Sequence, residues 1–257
     1  MIKPEEKELE NKKEILAHIE ETLASCELEI ATLKAELLSF EQTYAEIVGG
    51  FVAELDEIEA QIAEFMAKKY PANKETEEFA QNTRKQATES ARSYQHYQNK
   101  KMALPRKREF APTEDLKQLF REVAKRIHPD LASSDRDRAL REELMKKANE
   151  AYQNGDEEKL KSILEEYESH PEGIEGNGIG VELIRAIRSI DLISQRIAEI
   201  KKEIEILMKS ELYILKQKVD NAKLESRDLL IEMASYLRLK IQQAKNELRQ
   251  ASQGNSK

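Results

Sequence analysis

Apolar residues recur along the N-terminal part of the chain at alternating steps of three and four: Leu16, Ile19, Leu23, Cys26, Ile30, Leu33, Leu37, Phe40, Tyr44 and Ile47. That spacing keeps a narrow stripe on one side of a helix and predicts a coiled-coil arm. The stripe continues through Phe51, Leu55, Ile58, Ile62 and Phe65, and successive steps of four beside Gly49 and Gly50 predict a stutter that relaxes the supercoil. Pro71 limits the helix. A second stripe runs through Ile190, Ile193, Ile197, Ile200, Ile204, Met208, Leu212, Leu215, Val219, Ala222, Ser226, Leu229, Met233 and Tyr236, with its own stutter between Ile204 and Leu212. Each arm spans about 65 to 75 residues, roughly 100 Å at the rise of an α-helix.

Charge bears on how the arms pair. Residues 1–69 hold 7 Lys+Arg and 17 Asp+Glu, a net of −10, whereas residues 181–257 hold 15 and 11, a net of +4. An acidic arm beside a basic one gains complementary flanking charges. The predicted fold is therefore all-α: a long antiparallel coiled-coil hairpin, Phe51 opposite Met208, carrying a small helical domain at its tip. The same contacts made between two chains give an arm-exchanged dimer. The expected organisation is an N-terminal arm (1–70), a polar helical connector (71–110), a small domain (111–170), a Gly-rich hinge (171–180) and a C-terminal arm (181–257).

Composition supports long helices burying narrow stripes rather than a large globule, with 39% hydrophobic and 36% charged residues and no Trp among 257. The single Cys26 excludes an internal disulfide and is expected to fill the seam, which suits a reducing compartment. The opening MIKPEEKELE lacks the apolar stretch of a secretory signal, and no apolar run approaches membrane-spanning length, so a cytoplasmic protein without membrane partners is expected.

The middle of the chain departs from the repeat. Thr113 is placed to cap a helix whose Leu116, Phe120, Val123 and Ile127 share one face, while Lys117, Arg121 and Lys125 share another, with Arg126 beside them. His128 precedes Pro129, which forces it out of helical geometry, and Asp130 favours a turn. A further helix is predicted from Asp137 to Gln153, burying Leu140, Leu144, Ala148 and Ala151 and ending at Asn154-Gly155. Asp156 then caps a short fourth helix that turns Leu160, Ile163, Leu164 and Tyr167 inward.

LFREVAKRIHPD followed by LREELMKKANEAYQNGD resembles helix II, the HPD loop and helix III of the J-domain co-chaperones, the DnaJ family. His128-Pro129-Asp130 matches the signature tripeptide, Phe120 and Arg121 an aromatic-basic pair, Arg126 a basic position before the tripeptide, and Ala148-Asn149-Glu150-Ala151-Tyr152 a motif of helix III. The family's first helix is not recognisable before Thr113; KKMALPRKREFAP offers only a short substitute using Leu104 and Phe110. With no Gly/Phe-rich segment and no paired Cys-x-x-Cys modules, the resemblance implies the miscellaneous third class of J proteins. It implies that His128, Pro129, Asp130, Lys117, Phe120, Arg121, Lys125 and Arg126 dock on a DnaK-type chaperone, where the Asp engages an arginine and promotes ATP hydrolysis. The arms would then serve localisation, assembly or an unidentified client. That role requires Asp130 to be open to a visitor.

Residues 99–128 carry 9 Lys+Arg against 4 acids, a patch that steers acidic partners. The plainer reading is a helix stopped by Pro129 with His128 at its dipole end, in a structural or assembly protein whose degenerate J-like tip is a protein-binding head. The basic run Lys100 to Arg108 lacks an aromatic platform, so nucleic acid is not an expected partner. GIEGNGIG (173–180) lacks the strand and Lys-Ser/Thr of a phosphate loop and is read as a hinge. His18, His96 and His170 have no partners at metal-ligand spacing, and no catalytic constellation or cofactor is expected.

Overall fold

The computed structural model describes residues 4–71, 73–103, 110–132, 134–168 and 178–253. Helix α1 (Pro4–Tyr44) runs into a π turn (Ala45–Gly49) and α2 (Gly50–Lys69), followed by α3 (Lys74–Ala103), α4 (Glu114–Ile127), a 3-10 turn (Pro129–Leu131), α5 (Asp135–Asn154), α6 (Glu157–Glu168), α7 (Ile179–Met208), α8 (Glu211–Leu224) and α9 (Leu229–Gln253). The described residues form helices joined by short turns with no strand among them, as the periodicity predicts, and none of these helices is long and apolar enough to cross a membrane. The basic run Lys100 to Arg108, Leu104, His170 and hinge residues 173–177 lie outside the residues whose side chains or backbone are described.

Two compact units form, one from Met1–Glu36 and Phe110–Ser210, the other from Leu37–Glu109 and Glu211–Lys257. In the first unit the pairing of the arms has the opposite sense to the expected hairpin. Lys13 pairs with Glu182 at 2.8 Å, Glu27 with Arg196 at 3.1 Å and Lys34 with Glu203 at 2.7 Å. Both partners advance along the chain together, so α1 and α7 run parallel, with Leu23, Cys26 and Ile30 packed against Ile193, Ile197, Ile200 and Ile204. Charge complementarity favours this pair of helices but is satisfied in either direction, and the stripes carry no arrow. In a Cys26→Ser background, cysteines at 13 and 182 are expected to crosslink within one chain. Cysteines at 13 and 203 should not, because position 203 lies about 30 Å further along α7; a crosslink of 13 with 203 but not with 182 on a denaturing gel would refute the parallel register.

The small helical head also sits differently. It does not stand free at a tip: α4, α5 and α6 close a core of Leu116, Phe120, Val123, Ile127, Leu144, Ala148, Tyr152, Leu160 and Ile163 that also contains Ala24 and Ala31 of α1, with Leu28 packed against it. Helix α1 therefore has two neighbouring apolar stripes, one to two positions apart, Leu23/Cys26/Ile30 toward α7 and Ala24/Leu28/Ala31 toward the head. Both alanines are buried in that core, and the Thr32 hydroxyl bonds the Tyr152 hydroxyl at 2.8 Å. Phe110 stacks edge-on against Tyr152 at 5.6 Å, the part of the expected substitute for a first helix that falls on described side chains.

In the second unit the polar stretch expected as a connector is α3, folded back along α2. Arg84 bonds both Glu57 and Glu64 at 2.6 Å, and Gln86 bonds Asp56 at 3.0 Å, an antiparallel register. The stutter expected beside Gly49 and Gly50 is the π turn, which inserts the extra residue. A methyl at Gly50 would sit 3.0 Å from the Tyr94 hydroxyl, so glycine here admits the ring. Phe51, expected opposite Met208, lies under the Arg238 guanidinium at 4.8 Å, and with Glu54–Lys245 at 2.6 Å this sets α9 parallel to α2. The second stripe breaks at Lys209–Ser210, where its stutter was expected, and again after Leu224, where Ser226 takes a φ of 60°. The latter break was hidden because the apolar spacing reads straight through Ser226.

Candidate functional site

Helix α4 begins as its residues dictate. The Thr113 hydroxyl accepts the Leu116 amide at 3.1 Å, and Glu114 and Asp115 occupy the positive end of the helix dipole. Its end is set by Pro129: His128 takes φ −61° and ψ 133°, extended backbone, while its N–H still donates to the Ala124 carbonyl. Pro129–Leu131 form one 3-10 turn, and the Ser134 hydroxyl accepts the Asp137 amide to start α5. Asn154-Gly155 ends α5 as expected, with Gly155 left-handed at φ 69°, and Asp156 caps α6 through the Lys159 amide at 2.9 Å.

His128 is only 2% exposed, and both ring nitrogens are used within the chain. Nδ1 accepts the Asp130 amide at 3.1 Å, so Nδ1 is unprotonated and Nε2 carries the hydrogen it donates to Glu27 Oε1 at 3.0 Å. The same Glu27 oxygen accepts from Arg196 Nε and Nη2, each at 3.1 Å. Burial alone would push the Glu27 carboxyl up; the His128 hydrogen bond and the Arg196 charge together outweigh it and hold the group below the usual carboxylate range. Leu131, next to the tripeptide, packs into the α1–α7 seam. Asp130 keeps 19% of its side chain exposed, with its Oδ2 3.8 Å from His128 Nδ1. Its carboxylate adds to the charges that raise the Arg196 pKa, after Glu27 and Glu199.

The structure brings His128, Pro129 and Asp130 together at the turn, with Lys117, Arg121, Lys125 and Arg126 on the outer sides of α4, but it alters two of the expected docking roles. Phe120 is fully buried, its ring 4.6 Å from that of Tyr152, so it holds the head together and presents no surface. His128 faces Glu27 of α1 rather than solvent. The basic face is also engaged: Lys125 meets Glu21 of α1 at 2.8 Å, Lys117 meets Glu114 at 2.8 Å, and Arg126 meets Glu122 at 3.2 Å.

Two residues of the site were not read from the sequence. Glu27 lies between the two stripes of α1 and looks like one more acid on an acidic helix. Arg141 is 6% exposed and fastens the turn, donating to Asp137 Oδ1 at 2.9 Å, to the Arg126 carbonyl at 2.9 Å, to the His128 carbonyl at 3.3 Å and to the Tyr167 hydroxyl. It thereby satisfies carbonyls that the end of α4 leaves without helical partners. Cys26 fills the α1–α7 seam as expected, its thiol pushed up by burial. Among the described residues no three His, Cys, Asp or Glu side chains gather as metal ligands.

A pH dependence follows from Glu27. Because its folded pKa is depressed, its contribution to stability is complete above the unfolded value of about 4.5 and is lost as pH falls through the folded value. Half-buried Glu20, whose carboxyl burial raises, acts with opposite sign. The stability difference between wild type and Glu27→Gln, from urea unfolding, is therefore expected to be constant near neutrality and to shrink below about pH 4.5. A constant difference down to pH 3 would contradict it.

No family model, curated protein or solved structure matches the chain.

Proposed function

We propose that the chain is a J-domain-type co-chaperone that stimulates the ATPase of a DnaK-type chaperone through α4 and the tripeptide, its long helices serving localisation, assembly or client binding. The supporting observation is the turn between α4 and α5: a basic helix ends at His128, one 3-10 turn carries Pro129 and Asp130, and an antiparallel partner helix starts at Asp135 over a core built on Phe120 and Tyr152. The Asp130 carboxylate remains at the surface in part, next to a positively charged helix. Exposed charge pairs are worth about 0–1 kcal/mol each, so docking is weak and salt-sensitive, whereas a desolvated Asp130 pair would cost about 2–5 kcal/mol when truncated.

Single-turnover ATP hydrolysis by a DnaK-type chaperone tests this with wild type and Asp130→Asn. Wild type should stimulate and the folded variant should not, a difference of at least about tenfold. Equal rates would remove the mechanism. The burial of His128 against Glu27 favours a second reading, an assembly protein whose head is a fixed structural element. In that case the arms alone would recover a binding partner, and no chaperone would bind the head.

A further inference from the structure

The tripeptide is flanked by its own chain at His128 and Leu131, and only Pro129 and Asp130 reach the surface, in part. His128 is bonded to Glu27, Glu27 to Arg196, Leu131 packs against the apolar seam of α1 and α7, and Lys125 meets Glu21. Helix α1 thus offers the basic face of α4 the acids that an acidic partner would offer, and α7 places a guanidinium whose charge is coupled to Asp130, the residue expected to meet an arginine elsewhere.

The two helices are not equivalent. Ala24, Leu28 and Ala31 of α1 belong to the head's own core, and Thr32 bonds Tyr152, so α1 cannot leave without opening that core. Helix α7 touches the head at the 3-10 turn, where Leu131 packs against the α1–α7 seam, while Arg196 bonds Glu27 of α1. Arg196 is a third exposed, with a side-chain accessibility of 34%, so changing it disturbs little packing.

We infer that α7 is an autoinhibitory lid on the tripeptide, latched by Arg196 on Glu27, and that a chaperone reaches Asp130 only when α7 lifts while α1 stays on the head. This rests on the co-chaperone reading for its purpose but not for its geometry. A site open only part of the time binds with an affinity reduced by the open fraction, so lifting the lid raises stimulation in proportion.

The test uses the full chain with Arg196→Glu, which sets like charges face to face, and Ile197→Asn, which weakens the seam without touching the ion pair. Hydrogen exchange reads the amides of Asp130, Leu131 and Ala132, bonded to His128 Nδ1, the His128 carbonyl and the Pro129 carbonyl. Both variants should speed exchange there by at least about tenfold while the amides of α4, α5 and α6 keep their protection. Unchanged exchange at the turn, or loss of protection through the whole head, overturns the lid. In single-turnover ATPase with a DnaK-type chaperone, both variants should exceed wild type by a similar factor, and Asp130→Asn in the same background should remove the gain. Selective opening without any stimulation, in wild type or variants, keeps the lid's mechanics but defeats the co-chaperone reading. Equal stimulation by wild type and opened variants defeats the inhibitory role alone.

Discussion

Arg141→Met is expected to destabilise the head by about 2–4 kcal/mol, because it removes a buried guanidinium whose partners stay behind. Met keeps much of the aliphatic volume but supplies no donor to the carbonyls of Arg126 and His128, to Asp137 Oδ1 or to the Tyr167 hydroxyl. It also loses the contact of the guanidinium with the Tyr167 ring, whose centroid lies 4.9 Å from Cζ. Asp137 retains 17% side-chain exposure and recovers some hydration, which is why the lower part of the range is included. Urea unfolding monitored by exchange of the α4–α6 amides measures the loss, and a change below about 0.5 kcal/mol would mean that water replaces the guanidinium at no cost. Arg141→Lys should recover little, since one ammonium cannot span carbonyls and carboxylate in the planar fork that Arg provides.

Arg141 also shows where the reading of the sequence stops. Local signals were legible because they act over a few residues: Thr113 as cap, Pro129 as the stop of α4, Asn154-Gly155 as the end of α5, and the stutter beside Gly49 and Gly50 that becomes a π turn. Each is fixed by backbone sterics or by a side chain reaching its own helix. The heptad stripes gave the residues that line the seam, Leu23, Cys26, Ile30, Ile193 and Ile197, but neither their direction nor their register, since apolar contacts and flanking charges are the same read either way; with Phe51 opposite Met208, Leu23 would have met the far end of the second stripe. The second stripe of α1, Ala24/Leu28/Ala31, was present in the spacing but is built from small residues whose burial only a close neighbour reveals. Glu27 and Arg141 carried no signal. In a chain with 42 Lys+Arg and 50 Asp+Glu, a charged residue that becomes buried is indistinguishable from its exposed neighbours until the tertiary contact that neutralises it is known.

Phe120→Ala separates the two roles open to that residue. As a docking contact, its loss would weaken chaperone binding and leave stability unchanged; as a core residue, it should destabilise the head by about 3–5 kcal/mol. The structure places the ring with no exposed surface, tilted against Tyr152 at 4.6 Å in the core that also holds Leu116, Val123, Ala148 and Leu160, so the cavity left by Ala lies in a packed interior that cannot collapse onto it cheaply. Its neighbour Arg121 faces outward on α4, and Arg121→Ala should change stability by less than about 0.5 kcal/mol. Comparing both variants in urea unfolding, at concentrations where any chaperone is absent, isolates the folding effect. Equal small changes would move Phe120 back to the surface. The expected contrast makes the aromatic-basic pair a division of labour, one residue anchoring the hairpin whose turn carries the tripeptide and the other remaining at the surface for a partner to meet.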